Sequence, residues 1–319
     1  MTNTFITLKK GASRLALIAI ASVGFASQPL LAEQPTTVAE ALGPQPAATT
    51  DINPAMWVVR DADTTIYMFG TVHILRPGLN WLKGDVKAAF DGADELVLEV
   101  IEPEDPAVTQ GILMKLATNP TGTSLRTILP EEVRTKYETT LGTLKLPPAA
   151  LDQYKPWFAA VTLTSLPLLM QGYDLNSGAE KVLTGIAKQQ AKPLGQLETI
   201  EQQLGIFDAL GPKEQIEFLN VSLDGVPEVT TQIDSLVDAW GKADLVTLDK
   251  LLNDGFVSYP GLYDALLTDR NANWVKWIKA RMDKPGTVFM AVGAAHLVGK
   301  DSVQAQLAKA GVESNRVGQ

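Results

Sequence analysis

The chain has 319 residues, no cysteine, two histidines, and 36 acidic against 27 basic residues, a formal net charge of −9. Without thiols it can have no disulfide, no cysteine nucleophile and no thiolate metal ligand, so its core must stabilise it unaided. An acidic chain with no Lys/Arg cluster repels phosphate backbones and anionic lipid surfaces, which argues against nucleic acid or a membrane as partner.

In chain order, Lys9, Lys10 and Arg14 precede the apolar run LALIAIASVGFA, and small residues follow up to Ala32. This layout predicts a secretory signal peptide over residues 1–32, cut after Ala32 or else near Ala26, and hence a periplasmic or secreted protein. The apolar run is about half of the roughly 20 residues that a membrane-spanning helix needs. Cleavage after Ala32 removes three basic residues and no acidic ones, leaving 24 basic against 36 acidic and a net charge of −12. Residues 33–55, rich in Pro, Thr and Ala, read as a flexible lead-in. Residues 56–319 are long enough for one domain with a substantial core.

From Met56, two β-branched and aromatic runs, 56–60 and 65–69, flank a short polar break and predict a hairpin. GTVH follows at Gly70 to His73. Helical spacing of Val86, Ala89 and Phe90 then leads to an apolar strand over 95–100 that carries Glu99. The C-terminal end repeats this order, with a strand at 287–292, GAAH at Gly293 to His296, a helix near 302–310 and a last strand near 312–317. The two strand–GxxH–helix–strand units point to a duplication and predict an α/β fold with a mixed, largely parallel central sheet.

Between them, about 106–284 reads as a mostly helical insertion, with helices at 131–141, 149–173, 179–190, 201–210, 213–223, 229–242 and 270–283. The segment PWFAAVTLTSLPLLM reads as a buried core helix interrupted by Pro167, too short to span a bilayer. A short strand at 192–197 leads to Glu198.

His73, His296 and Glu99 all fall at carboxyl ends of strands, the edge where open α/β sheets build their sites. Gly70 and Gly293, each three residues before a histidine, read as positions where the strand turns and its backbone approaches a bound group. Two imidazoles and a carboxylate make a facial ligand set for a divalent transition metal such as Mn, Co or Zn, whose bound water would be acidified for hydrolysis. Arg270, with Asn271 beside it at a helix start, offers a guanidinium fork for a substrate carboxylate or an oxyanion. Its alternative is a surface salt bridge to Asp269 or Asp264. Glu198 could reach the same edge.

GTVH, the downstream strand glutamate, VGAAHLVG, YKPWFAA, GYDLNSGAEKVL, KPLGQLETIEQQ and DRNANWVKWI, in that order, resemble the TraB/GumN family, which also takes in the TIKI proteases and pheromone-shutdown proteins. The resemblance implies that His73, His296, Glu99 and Arg270 are its marked residues. It also implies a fold similar to erythromycin esterase and the haem-binding ChaN proteins. Because TIKI members are described as metal-dependent proteases, it implies a metal-dependent hydrolase with a peptide or small-molecule substrate; peptide bonds are the leading expectation, and for bacterial GumN-like members no substrate follows from the resemblance. One departure is visible: GAE, at Gly178 to Glu180, stands where the family pattern leads us to expect Gly-Val-Asp. Two other readings stay open: a metal-free, esterase-like hydrolase in which a histidine is the general base and Glu99 orients it, and a protein that binds haem, metal or peptide without catalysis.

Overall fold

The computed structural model describes residues 50–318. The predicted signal peptide and residues 33–49 of the lead-in lie outside them. Strands are β1 (Thr50–Asp51), β2 (Met56–Arg60), β3 (Thr64–Thr71), β4 (Leu79–Asn80), β5 (Glu95–Leu98), β6 (Leu194–Gln196), β7 (Gly286–Gly293) and β8 (Asn315–Arg316). β1 pairs with β4 in a small parallel ladder, and the other six form one sheet in the order β6-β5-β7-β3-β2-β8. Neighbours from β6 to β3 run parallel, whereas β2 is antiparallel to both β3 and β8. The expected mixed, largely parallel sheet is therefore present.

The helices of more than one turn are α1 (Gly84–Gly92), α2 (Pro106–Ala117), α3 (Glu131–Thr143), α4 (Pro156–Met170), α5 (Ala179–Gln189), α6 (Ile200–Asp208), α7 (Pro212–Gly225), α8 (Val229–Gly241), α9 (Leu245–Asn253), α10 (Asp269–Met282) and α11 (Val303–Lys309). Sequence periodicity did not predict α2 and α9, although both carry legible start signals. Asp105 caps α2 through the Ala107 N–H, ahead of Pro106 in the first turn, and Asp244 caps α9 through Thr247. The helix expected over 149–173 is the shorter α4, which begins at Pro156; Pro167 lies inside it, where it removes one i→i−4 bond, and the helix ends soon after at Met170. No helix among the described residues is long and apolar enough to cross a membrane.

Alternation along the central strands sorts the core into two layers. Phe69, Leu96, Leu98, Phe289 and Ala291 face the large helical layer with α1, whose Val86, Ala89 and Phe90 are buried there. Ile66, Met68, Val97, Val288, Met290 and Val292 face Trp274, Val275 and Ile278 of α10 and Val303 and Leu307 of α11. The two repeat-like units thus send their helices to opposite faces. Their last strands also differ: β5 lies beside β7, while the two-residue β8 closes the far edge against β2.

The end of the expected lead-in behaves differently from the prediction. β1 pairs with β4, Asn53 N–H donates to the Gly241 carbonyl, and Ile52 packs onto the Cα of Gly241. Backbone pairing and one apolar anchor are enough to fix a segment whose composition alone reads as mobile.

Candidate functional site

The parallel strands bring the candidate residues to one edge. His73 lies two residues beyond β3, Glu99 one beyond β5, Glu198 two beyond β6 and His296 three beyond the end of β7. The register pairs Thr71 with Gly293 and Gly70 with Val292, so the two GxxH segments lie side by side but one residue out of step. His296 is carried on a buried 3-10 turn, Ala294–Leu297, and His73 on a bend.

Gly70 serves packing rather than a turn. It sits inside β3, where an added Cβ would come 3.2 Å from the Cα of Ala294 in the second GxxH segment, and its carbonyl accepts from Trp240 Nε1 at 2.7 Å. Gly293 does present its backbone to an anion, but the anion belongs to the protein: its N–H donates to Glu99 Oε1 at 2.6 Å.

Arg270 is the hub of a buried cluster. Its Nη2 donates to Glu99 Oε2 at 2.7 Å, its Nε reaches both oxygens of Glu198 at 3.0 Å, and its Nη1 donates to the Leu266 carbonyl at 3.0 Å. Nη2 also lies 2.9 Å from Glu198 Oε2. Leu266 belongs to a π-helical turn, Asp264–Thr268, just before α10, a local widening that often marks functional sites. The surface-bridge alternative for Arg270 therefore fails, because its partners are interior carboxylates. The expected oxyanion role is also not what this geometry shows, since the guanidinium donors are already engaged within the protein. Burial opposes its charge, but Glu99 and Glu198 outweigh that and raise its pKa further.

Both oxygens of Glu99 are engaged too. Besides Arg270 and Gly293 it accepts from Gln203 Nε2 at 2.9 Å. Gln203 comes from α6, whose start is fixed by a capping box: Thr199 accepts from the Gln202 N–H, and the Gln202 side chain returns the bond to the Thr199 N–H. The same segment brings in Glu198, whose N–H donates to the Glu99 carbonyl at 2.9 Å.

His296 is fixed as a neutral imidazole. Arginine can only donate, so His296 Nε2, 3.0 Å from Arg270 Nη1, must be the acceptor; Nδ1 then carries the proton and donates to Asn271 Oδ1 at 2.6 Å. Asn271 is held in turn by its own bond to the Asp301 carbonyl. The imidazole packs against Trp274, ring centroids 4.2 Å apart. Burial, then the charges of Arg270 and His73, drive its pKa well below the usual imidazole value.

His73 is arranged in the opposite way. Its Nδ1 lies 2.7 Å from Glu180 Oε1, an oxygen that Thr71 of the same GTVH also donates to. Its Nε2 is buried and has no hydrogen-bond partner among the described residues. Burial disfavours the imidazolium, yet the charge and hydrogen bond of Glu180 outweigh it and hold the pKa above the usual value. Burial likewise pushes the Glu180 carboxyl up, and His73 and Thr71 more than reverse this. Glu180 reaches His73 because α5 starts against the GTVH backbone. Ala179 N–H donates to the Val72 carbonyl, and a Cβ on Gly178 would fall 2.2 Å from the His73 carbonyl oxygen. His73, Glu99, Glu180 and Gln203 line one cavity of about 390 Å³.

These contacts decide the fit of the expected metal. Of the proposed ligand atoms, the His296 nitrogens and the Glu99 oxygens are all occupied, and a fixed guanidinium stands among them; only His73 Nε2 is unpartnered. A dication beside a buried arginine would be repelled by it. Among the described residues no group of three or more His, Asp or Glu side chains is arranged to hold an ion. The set His73, His296 and Glu99 does not fit a divalent transition metal as these side chains are placed. The residues that sequence reasoning passed over are Glu180, Gln203 and Trp274. Glu180 was signalled by GAE, but its mismatch with the family pattern counted against it.

A family model described as the TraB/PrgY/gumN family matches residues 55–316. The chain is 24% identical over 255 residues to a protein of Escherichia coli (strain K12) named "Uncharacterized protein YbaP", covering 80% of this chain and 92% of that one. Identity and coverage are the same for the protein of that name from Shigella flexneri. No solved structure matches.

Proposed function

Because the chain belongs to the TraB/PrgY/gumN family, whose resemblance to TIKI proteases and erythromycin esterase implies hydrolysis, we propose that it is an exported hydrolase in which His73 is the general base and Glu180 orients it. The observation that carries this reading is that His73, which lines the cavity, has its Nδ1 tied to a carboxylate and its buried Nε2 without a partner among the described residues. A histidine whose far nitrogen is held by a carboxylate keeps one tautomer and one direction, which is what a general base requires.

In this reading, His73 Nε2 takes a proton from a water as its oxygen attacks the substrate carbonyl carbon. The bond to the leaving amine or alkoxide breaks, and His73 returns the proton to that group. Glu180 stays ionised throughout and stabilises the transient imidazolium. The Arg270, Glu99, Glu198 and His296 cluster holds the floor of the site rigid. The predicted signal peptide supports a periplasmic or secreted location.

The test is turnover of a fluorogenic peptide library and an ester panel by exhaustively chelated protein. Activity that survives chelation and disappears in a folded His73→Gln variant supports the reading. Activity lost on chelation and restored by added Mn, Co or Zn overturns it.

A further inference from the structure

Resting on the hydrolase reading, we propose that the His73 cavity takes a substrate with a primary ammonium group beside an apolar side chain, such as the free amino end of a peptide, and that Glu102 recognises the ammonium. Among the described residues, two buried polar atoms without hydrogen-bond partners belong to residues lining this cavity, His73 Nε2 and Glu102 Oε1. They are held by adjacent residues of α5: His73 pairs with Glu180, and the other oxygen of Glu102 pairs with Lys181. An ionised carboxylate oxygen can only accept, and leaving it buried without a donor is costly. The attacking water supplies the donor for His73, and the substrate supplies the one for Glu102.

Charge selects a cation over a neutral donor. At the rim, Glu102 with Lys181 and Glu104 with Lys188 cancel. Deeper in, Glu99 and Glu198 share the single charge of Arg270, and among the described residues Glu180 has no other ion-pair partner once His73 is neutral and able to act as base. The competent site is therefore negative, which attracts an ammonium and repels a carboxylate. Leu98, Val100, Ile101, Pro103 and Leu175 complete the wall, and a cavity of about 390 Å³ has room for an apolar side chain beside the ammonium.

The test is calorimetric titration of the full chain with trileucine amide and with its N-acetylated form, repeated on Glu102→Gln. The free amine is expected to bind about tenfold more tightly than the acetylated probe, the scale of one charge-assisted hydrogen bond. Glu102→Gln should remove most of that difference by weakening the free amine's binding far more than the acetylated probe's. Equal affinities in the wild type, no saturable binding of the free amine, or a Glu102→Gln loss shared equally by both probes would each overturn the proposal. The wild-type comparison needs no variant, so a misfolded substitution does not rescue the idea. Because the readout is binding, it is distinct from failure of the hydrolase reading, which would appear as turnover retained in His73→Gln.

Discussion

The Glu180 carboxylate lies 2.7 Å from His73 Nδ1 and at the same time accepts from Thr71, so two residues of one GTVH hold a single oxygen. The opposite nitrogen of His73 is buried and has no partner among the described residues. If this carboxylate orients the base, Glu180→Gln should lower kcat by about 10² or more with little change in KM, because an amide can no longer stabilise the imidazolium. Steady-state kinetics on a substrate from the library, with a thermal melt as folding control, checks this. A KM effect alone would contradict it.

The same pair sets a pH dependence. A base with a raised pKa works only when deprotonated, so kcat should rise with pH through a midpoint above the usual imidazole value of about 6.5. Glu180→Gln should move that midpoint down. Stability runs the other way. The His73 contribution is fully present below about 6.5 and is lost as pH rises through the raised value, while the Glu180 contribution is present above about 4.3 and is lost as pH falls through its lowered value. The stability of the wild type over Glu180→Gln, read from denaturant melts, should therefore be greatest between those limits and shrink as pH rises through the raised His73 value.

Arg270 touches Glu99, Glu198, His296 and the Leu266 carbonyl from a buried position. Arg270→Met leaves two interior carboxylates uncompensated and should cost about 3–5 kcal/mol in unfolding free energy. Urea denaturation measures this. A loss of activity without loss of stability would instead give Arg270 a direct role with substrate.

Gly178 is required for space rather than for backbone freedom, since its φ is −55° and a Cβ would meet the His73 carbonyl at 2.2 Å. Gly178→Ala should push α5 away from GTVH and lower kcat as Glu180→Gln does, with a stability cost of about 1–3 kcal/mol from overpacking. Unchanged kinetics in this variant would mean that the Glu180 contact does not govern the chemistry.

Much of this arrangement is legible in the sequence. Strand-like alternation located β2, β3 and β7, and the carboxyl-edge rule gathered His73, His296, Glu99 and Glu198 across more than two hundred residues of chain. What the residues do there was not legible, because a ligand, a base and a structural histidine share one residue type and differ only in what occupies each nitrogen. The matched GxxH motifs implied two equivalent imidazoles, whereas the one-residue offset of β3 against β7 gives one to Arg270 and Asn271 and the other to Glu180. Glu180 and Gln203 sit on helices whose approach is set by packing, which no local spacing encodes. The flexible reading of the lead-in failed at its end for the same reason, since Ile52 finds its partner in Gly241, far along the chain.

The two histidines are shifted in opposite directions, and a chain with only two imidazoles allows both to be observed at once. Long-range proton–nitrogen NMR across a pH titration, assigned with His73→Gln, should show His296 neutral and Nδ1-protonated far below the usual imidazole range. His73 should titrate above that range and shift downward in Glu180→Gln. Two histidines titrating together near the ordinary value, or a His73 indifferent to Glu180→Gln, would contradict this arrangement.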